Sequence, residues 1–373
     1  MDNRVSIVRC SDYSNSFEAV NQSVELIGGL SAIVSKGDRV LLKPNVLGAH
    51  KPEDAVTTHP SIVSAVCQLV KKAGGIPVIG DGAGMTHPGA TADAFRESGI
   101  EAVSKESGVE LINFQTAGFV KVDVPEARHF SRLFVSKAVM EADVIISLPK
   151  LKTHELTYYT GAVKNMFGAL PLKTRKEMHL LAERKLFGEG IIDLYSVAKP
   201  HLAIMDAVVG MEGNGPSHGT PVPTGLILAS RDCVSLDIVA ATMIGFDPQK
   251  IPTTEAALER GFGIKKPQTI GVLPENVRIN YKPSSTGIIY NFPPFMIRFF
   301  GEQFTVRPRI DISKCIQCGA CIMNCSAKAI ENEDGNLRIN DKKCILCYCC
   351  RELCPEDAVT VKKSLLAKIV TGT

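Results

Sequence analysis

Along the first three quarters of the chain, short apolar runs alternate with stretches whose apolar residues recur at helical spacing, and several of those stretches stop at glycine pairs. Val5 to Val8 reads as a strand, and Phe17, Val20, Val24 and Ile27 then hold one helical face until Gly28-Gly29 ends it. The unit repeats with a strand at Val40 to Leu42, a helix from Ser61 to Ala73 stopped by Gly74-Gly75, and a strand from Ile76 to Ile79. Further strands are expected at Val144 to Leu148, Leu202 to Met205 and Leu226 to Ala229, with helices at Leu156 to Phe167 and Val234 to Ile244. Strand and helix in alternation predict an α/β fold, a mostly parallel sheet with flanking helices.

In such sheets ligands sit beyond the carboxyl ends of the strands, so the residues just after each strand are the candidates for chemistry. They are unusually polar: Lys43-Pro44-Asn45, Gly80-Asp81-Gly82, Pro149 to His154, Asp206, and Ser230-Arg231-Asp232. Asp232 suits a helix cap, and Asp237 one turn later is either cap or ligand. Gly80 to Gly84 lacks the sixth-position glycine of a dinucleotide fingerprint, and no acidic residue ends a strand about twenty residues on. The glycine-rich stretch Gly210 to Pro216, which contains Glu212, is expected as a loop serving as a lid, a phosphate nest or a plain connection.

Length and charge narrow the classes. The 373 residues leave room for a large α/β domain over 1–283, an amphipathic connector over 284–305, a small C-terminal domain over 306–363 and a tail over 364–373. Lys and Arg number 42 against 39 Asp and Glu, which gives no electrostatic footprint for nucleic acid. The most apolar stretch, Ile288 to Phe304, is broken by Pro293-Pro294, Arg298 and Glu302, so it is expected to lay Phe295, Ile297, Phe299 and Phe300 on the large domain, not to span a membrane.

Eight of the twelve cysteines change the picture entirely. They form the runs Cys315-x2-Cys318-x2-Cys321-x3-Cys325 and Cys344-x2-Cys347-x2-Cys350-x3-Cys354-Pro355. This spacing suits two [4Fe-4S] clusters in an α+β dicluster ferredoxin-like domain, the fourth cysteine of each run serving the other cluster. The expected sets are Cys315, Cys318, Cys321 and Cys354, and Cys344, Cys347, Cys350 and Cys325. A zinc ribbon uses pairs of cysteines and has no need of the third and fourth members. Met1 to Arg9 is charged and lacks a long apolar run, so the expected setting is a reducing, cytoplasmic and anaerobic one. Cys349 is left over, either a spare small residue or an oxidation-sensitive thiol beside a cluster.

The richest polar stretch lies between His154 and His179. Thr160-Gly161-Ala162 are small enough for backbone to approach a ligand, and Lys164-Asn165 follow on the same short helix. A lysine can anchor a carboxylate or phosphate, and a histidine can carry protons near neutral pH. The expected site therefore has Lys164 with His154 and His179 as catalytic groups, and Lys43, Asn45, Asp81, Asn165, Asp206 and Glu212 around a bound cofactor or substrate.

Residues 309 to 361 resemble a bacterial dicluster ferredoxin module, including the repeat of Ala327-Lys328-Ala329-Ile330 in Glu356-Asp357-Ala358-Val359, with Ser326 where that family usually has proline. Lys43-Pro44-Asn45, Gly80-Asp81-Gly82, Leu148 to His154, Thr160 to Asn165 and Asp206 through Pro216 closely resemble the domain-of-unknown-function family 362, whose members often end in such a module. That resemblance implies the architecture, two clusters and redox work in anaerobic metabolism. A fainter similarity, carried by the order His154, Lys164, His179, is to nickel-pincer lactate racemase, although the positions near Lys43 to Asn45 and Asp81 differ in type. The leading expectation is an electron-transfer oxidoreductase that takes low-potential electrons from a ferredoxin or reductase partner to a small anionic substrate or cofactor. The alternatives are a hydroxy-acid racemase or lyase with structural clusters, and a non-enzymatic carrier with a docking domain.

Overall fold

A computed structural model describes residues 2–84, 89–286, 307–333 and 336–362. Its main body is one ten-stranded sheet. From edge to edge the strands run Gln268–Gly271, Arg4–Arg9, His218–Ser230, Leu202–Asn214, Val144–Leu148, Arg39–Pro44, Ile76–Asp81 and Glu110–Asn113, while Lys150–His154 and Tyr158–Tyr159 branch off the strand Leu202–Asn214. The pairings are parallel, except where His218–Ser230 meets its two neighbours and where Tyr158–Tyr159 meets Lys150–His154. The expected α/β class with a mostly parallel sheet is therefore what forms.

Strand periodicity divides the core between the two faces. Leu41 and Met205 pack into one buried cluster, while their neighbours Leu42 and Ile204 pack into the other. The first face is covered by the helices Arg184–Val197 and Cys233–Met243, and the second by Ser16–Glu25 and Pro60–Lys72. Pro60 opens its helix at the position where no intrahelical N–H is needed, and Asp232 caps Cys233–Met243 by accepting from Val234 N and Ser235 N.

Two expectations need correction. No helix fills Leu156 to Phe167: the chain makes the two-residue strand Tyr158–Tyr159, a five-residue helix Gly161–Asn165 and a tight turn over Met166–Ala169. Gly161 breaks the run with a left-handed φ of +67°. Nor is Gly210 to Pro216 simply a loop, because Leu202–Asn214 continues as one strand paired with His218–Ser230 through Asn214 and His218. Its backbone groups are thereby used in a ladder, which leaves no nest there.

The C-terminal part has two small antiparallel pairs, Arg307–Ile310 with Val359–Lys362 and Ile330–Glu333 with Asn336–Ile339, and two short helices, Ala320–Asn324 and Cys349–Glu352. It docks on the large sheet through buried Arg351, whose guanidinium pairs with Glu155 and donates to Ser285 Oγ at 3.1 Å. Ser217 Oγ donates to Glu352 O at 2.6 Å, and Lys176 Nζ to Met323 O at 2.7 Å. Ser284 and Thr286 are buried beside the same contact, while the rest of the expected connector, with Phe295, Ile297, Phe299 and Phe300, and the tail over 364–373 lie outside the described residues.

Candidate functional site

The carboxyl ends of Arg39–Pro44, Ile76–Asp81 and Lys150–His154 open into a cleft of about 850 Å³ whose far wall is the C-terminal part. Lys43, Asn45, Asp81, His154, Lys164, Asn165 and His179 all line it, so seven of the nine expected pocket residues come together. The other two are elsewhere. Asp206 is fully buried within the strand Leu202–Asn214, 2.9 Å from Lys150 Nζ, accepting also from His59 N and Tyr13 Oη. Glu212 accepts from Lys282 N at 2.8 Å on the edge of the long strand pair.

Lys43 and Asp81 make a buried ion pair at 2.7 Å at the cleft floor. Gly82 N and Val46 N also donate to the Asp81 carboxylate, and Gly168 is a glycine because a Cβ there would strike this pair. Lys43 further donates to Pro44 O and Asn165 Oδ1, which occupies all three of its protons. Asn165 in turn donates to Lys43 O and Ser147 Oγ.

Lys164 stands in the last turn of Gly161–Asn165, and among the described residues its ammonium has no hydrogen-bond or ion-pair partner. Its Nζ lies 5.7 Å from the centre of the Phe167 ring. Burial pushes its pKa down to about 8, against the pull of Glu352 and Cys349. The helix that carries it is held by Asp237, which accepts from Ala162 N at 2.6 Å and Val163 N at 3.0 Å.

His154 and His179 are both driven toward the neutral form by burial, His179 to about 3. In His154 the Nδ1 atom accepts from Leu156 N at 3.0 Å, so the neutral ring carries its hydrogen on Nε2. That nitrogen is 3.4 Å from Glu352 Oε1 on the opposite wall. Burial raises Glu352 to about 7, opposed by Lys164 and Lys152.

Sequence reasoning missed Arg175 and Glu352, and it placed Lys152 only among the strand-end residues and Cys349 only beside a cluster; all four line the cleft. Lys152 and His154 had a readable signal, because alternate residues of Lys150–His154 share one strand face. Arg175 donates to the carbonyls of Leu170, Gly82, Ala83 and Gly168, clamping the glycine turn after Asp81. Ser326, the departure from the usual proline, also lines the cleft. Its Oγ, together with Asn45 Oδ1, Thr160 Oγ1, His179 Nδ1 and Glu352 Oε1, is buried without a hydrogen-bond partner among the described residues.

The cysteines enclose two smaller cavities. Cys315, Cys318, Cys321 and Cys354 line one of about 340 Å³, and Cys325, Cys344, Cys347 and Cys350 line the other, of about 330 Å³. The fourth cysteine of each run has thus crossed to the opposite set. Cys325 Sγ accepts from Ala329 N at 3.2 Å and Cys354 Sγ from Ala358 N at 3.3 Å, a use of the repeated Ala positions that periodicity alone did not reveal. Among the described residues no three metal-ligating side chains converge on one point. Four thiols ringing a space fit a cubane and not a single zinc ion. Cys349 lines both the second cavity and the large cleft.

A family model described as a domain of unknown function, DUF362, matches residues 40–242. This chain belongs to the DUF362 family. A second model, a 4Fe-4S dicluster domain, matches residues 307–355 and supports iron–sulfur electron transfer as the work of the C-terminal part. The family member resembles the thylakoid-associated protein sll1697 of Synechocystis sp., with 36% identity over 69% of this chain and 78% of that protein. Its cysteine-rich part resembles pyruvate synthase subunit PorD of Methanocaldococcus jannaschii, with 40% identity over 16% of this chain and 71% of that subunit. Among solved structures, lactate racemase apoprotein from Thermoanaerobacterium thermosaccharolyticum aligns at a TM-score of 0.41 and 10% identity, covering 65% of this chain and 57% of that one. Among the described residues no helix is long and apolar enough to cross a membrane.

Proposed function

We propose that this DUF362 protein is an iron–sulfur oxidoreductase of a reducing, oxygen-poor cytoplasm, passing low-potential electrons from a protein donor to a small anionic substrate or cofactor in the cleft. Two [4Fe-4S] clusters would be held, one by Cys315, Cys318, Cys321 and Cys354 and one by Cys344, Cys347, Cys350 and Cys325, and they would supply single-electron transfer. The observation that carries the reading is the shared wall: Cys349, between Cys347 and Cys350, borders both the second cysteine cavity and the cleft lined by Lys164.

Within the cleft Lys164 anchors the anionic group and holds a titratable proton. His154 presents a fixed Nε2–H to the ligand, and the Lys43–Asp81 pair and Arg175 shape the floor. Phe167, Leu172 and Leu353 line the cleft and exclude water from part of it.

The test is anaerobic. Reconstituted protein should bind about eight iron and eight sulfide per chain, four of each per cluster. After reduction with dithionite it should be re-oxidised by a member of a panel of small anionic oxidants. Lys164→Ala should abolish that re-oxidation at unchanged iron and sulfide content. Equal re-oxidation rates in variant and wild type remove Lys164 from the site, and a colourless protein holding zinc removes the redox reading altogether.

A further inference from the structure

The hydrogen-bond valences of the cleft cations separate those that build the site from those that face its ligand. Lys43 has its three protons on Asp81, Pro44 O and Asn165. Arg175 gives four hydrogen bonds to backbone carbonyls. Lys152 is buried at 1% exposure, and its ammonium donates to Val56 O at 2.7 Å and Pro216 O at 3.2 Å, leaving one proton uncommitted. Lys176, which also lines the cleft, gives one proton to Met323 O, and among the described residues Lys164 has all three free. Among the described residues neither Lys152 nor Lys164 has a carboxylate within 4 Å, and Lys164 lies close enough to Lys152 to lower its proton affinity.

Glu352 on the opposite wall is the carboxyl that acts on both, from beyond 4 Å, so two ammonium groups, one of them wholly buried, share a single acidic neighbour, and a ligand that supplies further negative charge relieves the arrangement. The cleft also holds Thr160 Oγ1, on a residue 3% exposed, with no hydrogen-bond partner among the described residues. His154 offers its Nε2–H on the same side, as a neutral donor that adds direction without adding charge.

We propose that Lys152 and Lys164 together form a dianion site, so that the cleft takes a small molecule carrying two negative charges on oxygen atoms, oriented by His154 Nε2–H and Thr160 Oγ1. Lys152 is then a ligand-binding residue, and Lys43, the more obvious candidate in the sequence, is a structural one. This rests on the same cleft as the oxidoreductase reading, but it concerns binding alone and is measurable with the clusters oxidised and no electron donor present. Loss of the redox reading would leave it standing, and its own failure would leave cluster chemistry untouched.

The probe is sulfate, which stays a dianion across the working pH range, compared with nitrate as a monoanion and succinate as a two-carboxylate dianion. Calorimetry on the anaerobically reconstituted full chain at pH 8 should show one saturable site, with sulfate or succinate at least tenfold tighter than nitrate. Whichever of the two binds better separates a compact oxyanion from a pair of spaced carboxylates. Binding should take up protons, seen as a dependence of the heat on buffer ionisation enthalpy, because the anion restores the charge that burial disfavours. Lys152→Gln and Lys164→Gln should each weaken the dianion at least tenfold, while the exposed Lys173→Gln leaves it unchanged. Among the described residues Lys164 has no structural hydrogen bond to lose, so its variant decides the matter even if Lys152→Gln fails to fold. No saturable dianion binding, equal affinity for nitrate, or undiminished binding in Lys164→Gln overturns the proposal.

Discussion

Asp237 Oδ1 accepts a hydrogen bond from Ala162 N at 2.6 Å, across a separation of 75 residues, and so a helix on one side of the core fixes the start of the short helix that presents Lys164. A five-residue helix has too few internal bonds to be stable alone, and its orphan amides need an acceptor. Gly161 is required beside it, because a side chain there would collide with the Asp237 carboxylate in a left-handed conformation. Asp237→Ala should lower stability by about 1–2 kcal/mol, the cost of a lost helix cap, and reduce anion affinity at Lys164. Urea midpoints and calorimetry check both.

The same residue sets a pH dependence. Burial raises Asp237 from its ordinary 3.8 to about 7, so between those values the folded protein holds a proton that the unfolded chain has released. Its contribution to stability is full at low pH and declines as pH rises through that window. Asp237→Asn should flatten the slope of urea midpoint against pH from about 4 to 7. An unchanged slope would assign the dependence to other groups.

Lys164 makes the opposite kind of prediction, on binding. With a pKa near 8 its ammonium is lost as pH rises, so affinity for an anion should fall above pH 8. Lys164→Arg should keep its charge and carry binding to higher pH. Calorimetric titrations from pH 7 to 9.5 measure the difference.

Arg351 pairs with Glu155, both buried, across the contact between the two parts of the chain. Burial raises Glu155 to about 8 even with the guanidinium beside it. Arg351→Leu leaves that carboxyl alone, and should weaken docking by about 3–5 kcal/mol, with part restored by adding Glu155→Gln. Urea unfolding followed by far-UV circular dichroism, with a lower midpoint in the single variant than in the double, reads this out.

The crossed cysteine sets predict selective loss of iron. Cys354→Ser should spoil the cluster of the first run and Cys325→Ser that of the second, each lowering iron by about four per chain. Cys349→Ser should leave iron content unaltered. A loss of iron in that variant would make Cys349 a ligand.

Much of the architecture was written in local pattern. Buried strands and amphipathic helices announce themselves by period, because one face of each must leave water, and the polar residues after the strands followed from where α/β sheets leave room. The stretch from Leu156 to Phe167 was misread because its apolar spacing suits a helix, while Gly161 and the distant Asp237 impose a break. Asp206 looked like the other strand-end residues, yet its neighbour in space is Lys150 and not the cleft.

By itself the chain determined what its neighbours in sequence can decide: alternation of strand and helix, and the cysteine spacing that lets three thiols reach one centre. Only the tertiary structure decided which lysine protons are free, that Glu352 faces His154 at 3.4 Å, and that Cys349 borders two cavities at once. Side-chain periodicity fixes the face a residue occupies, whereas a hydrogen-bond partner or a shared wall depends on which distant segments pack against that face, and no local pattern encodes that choice.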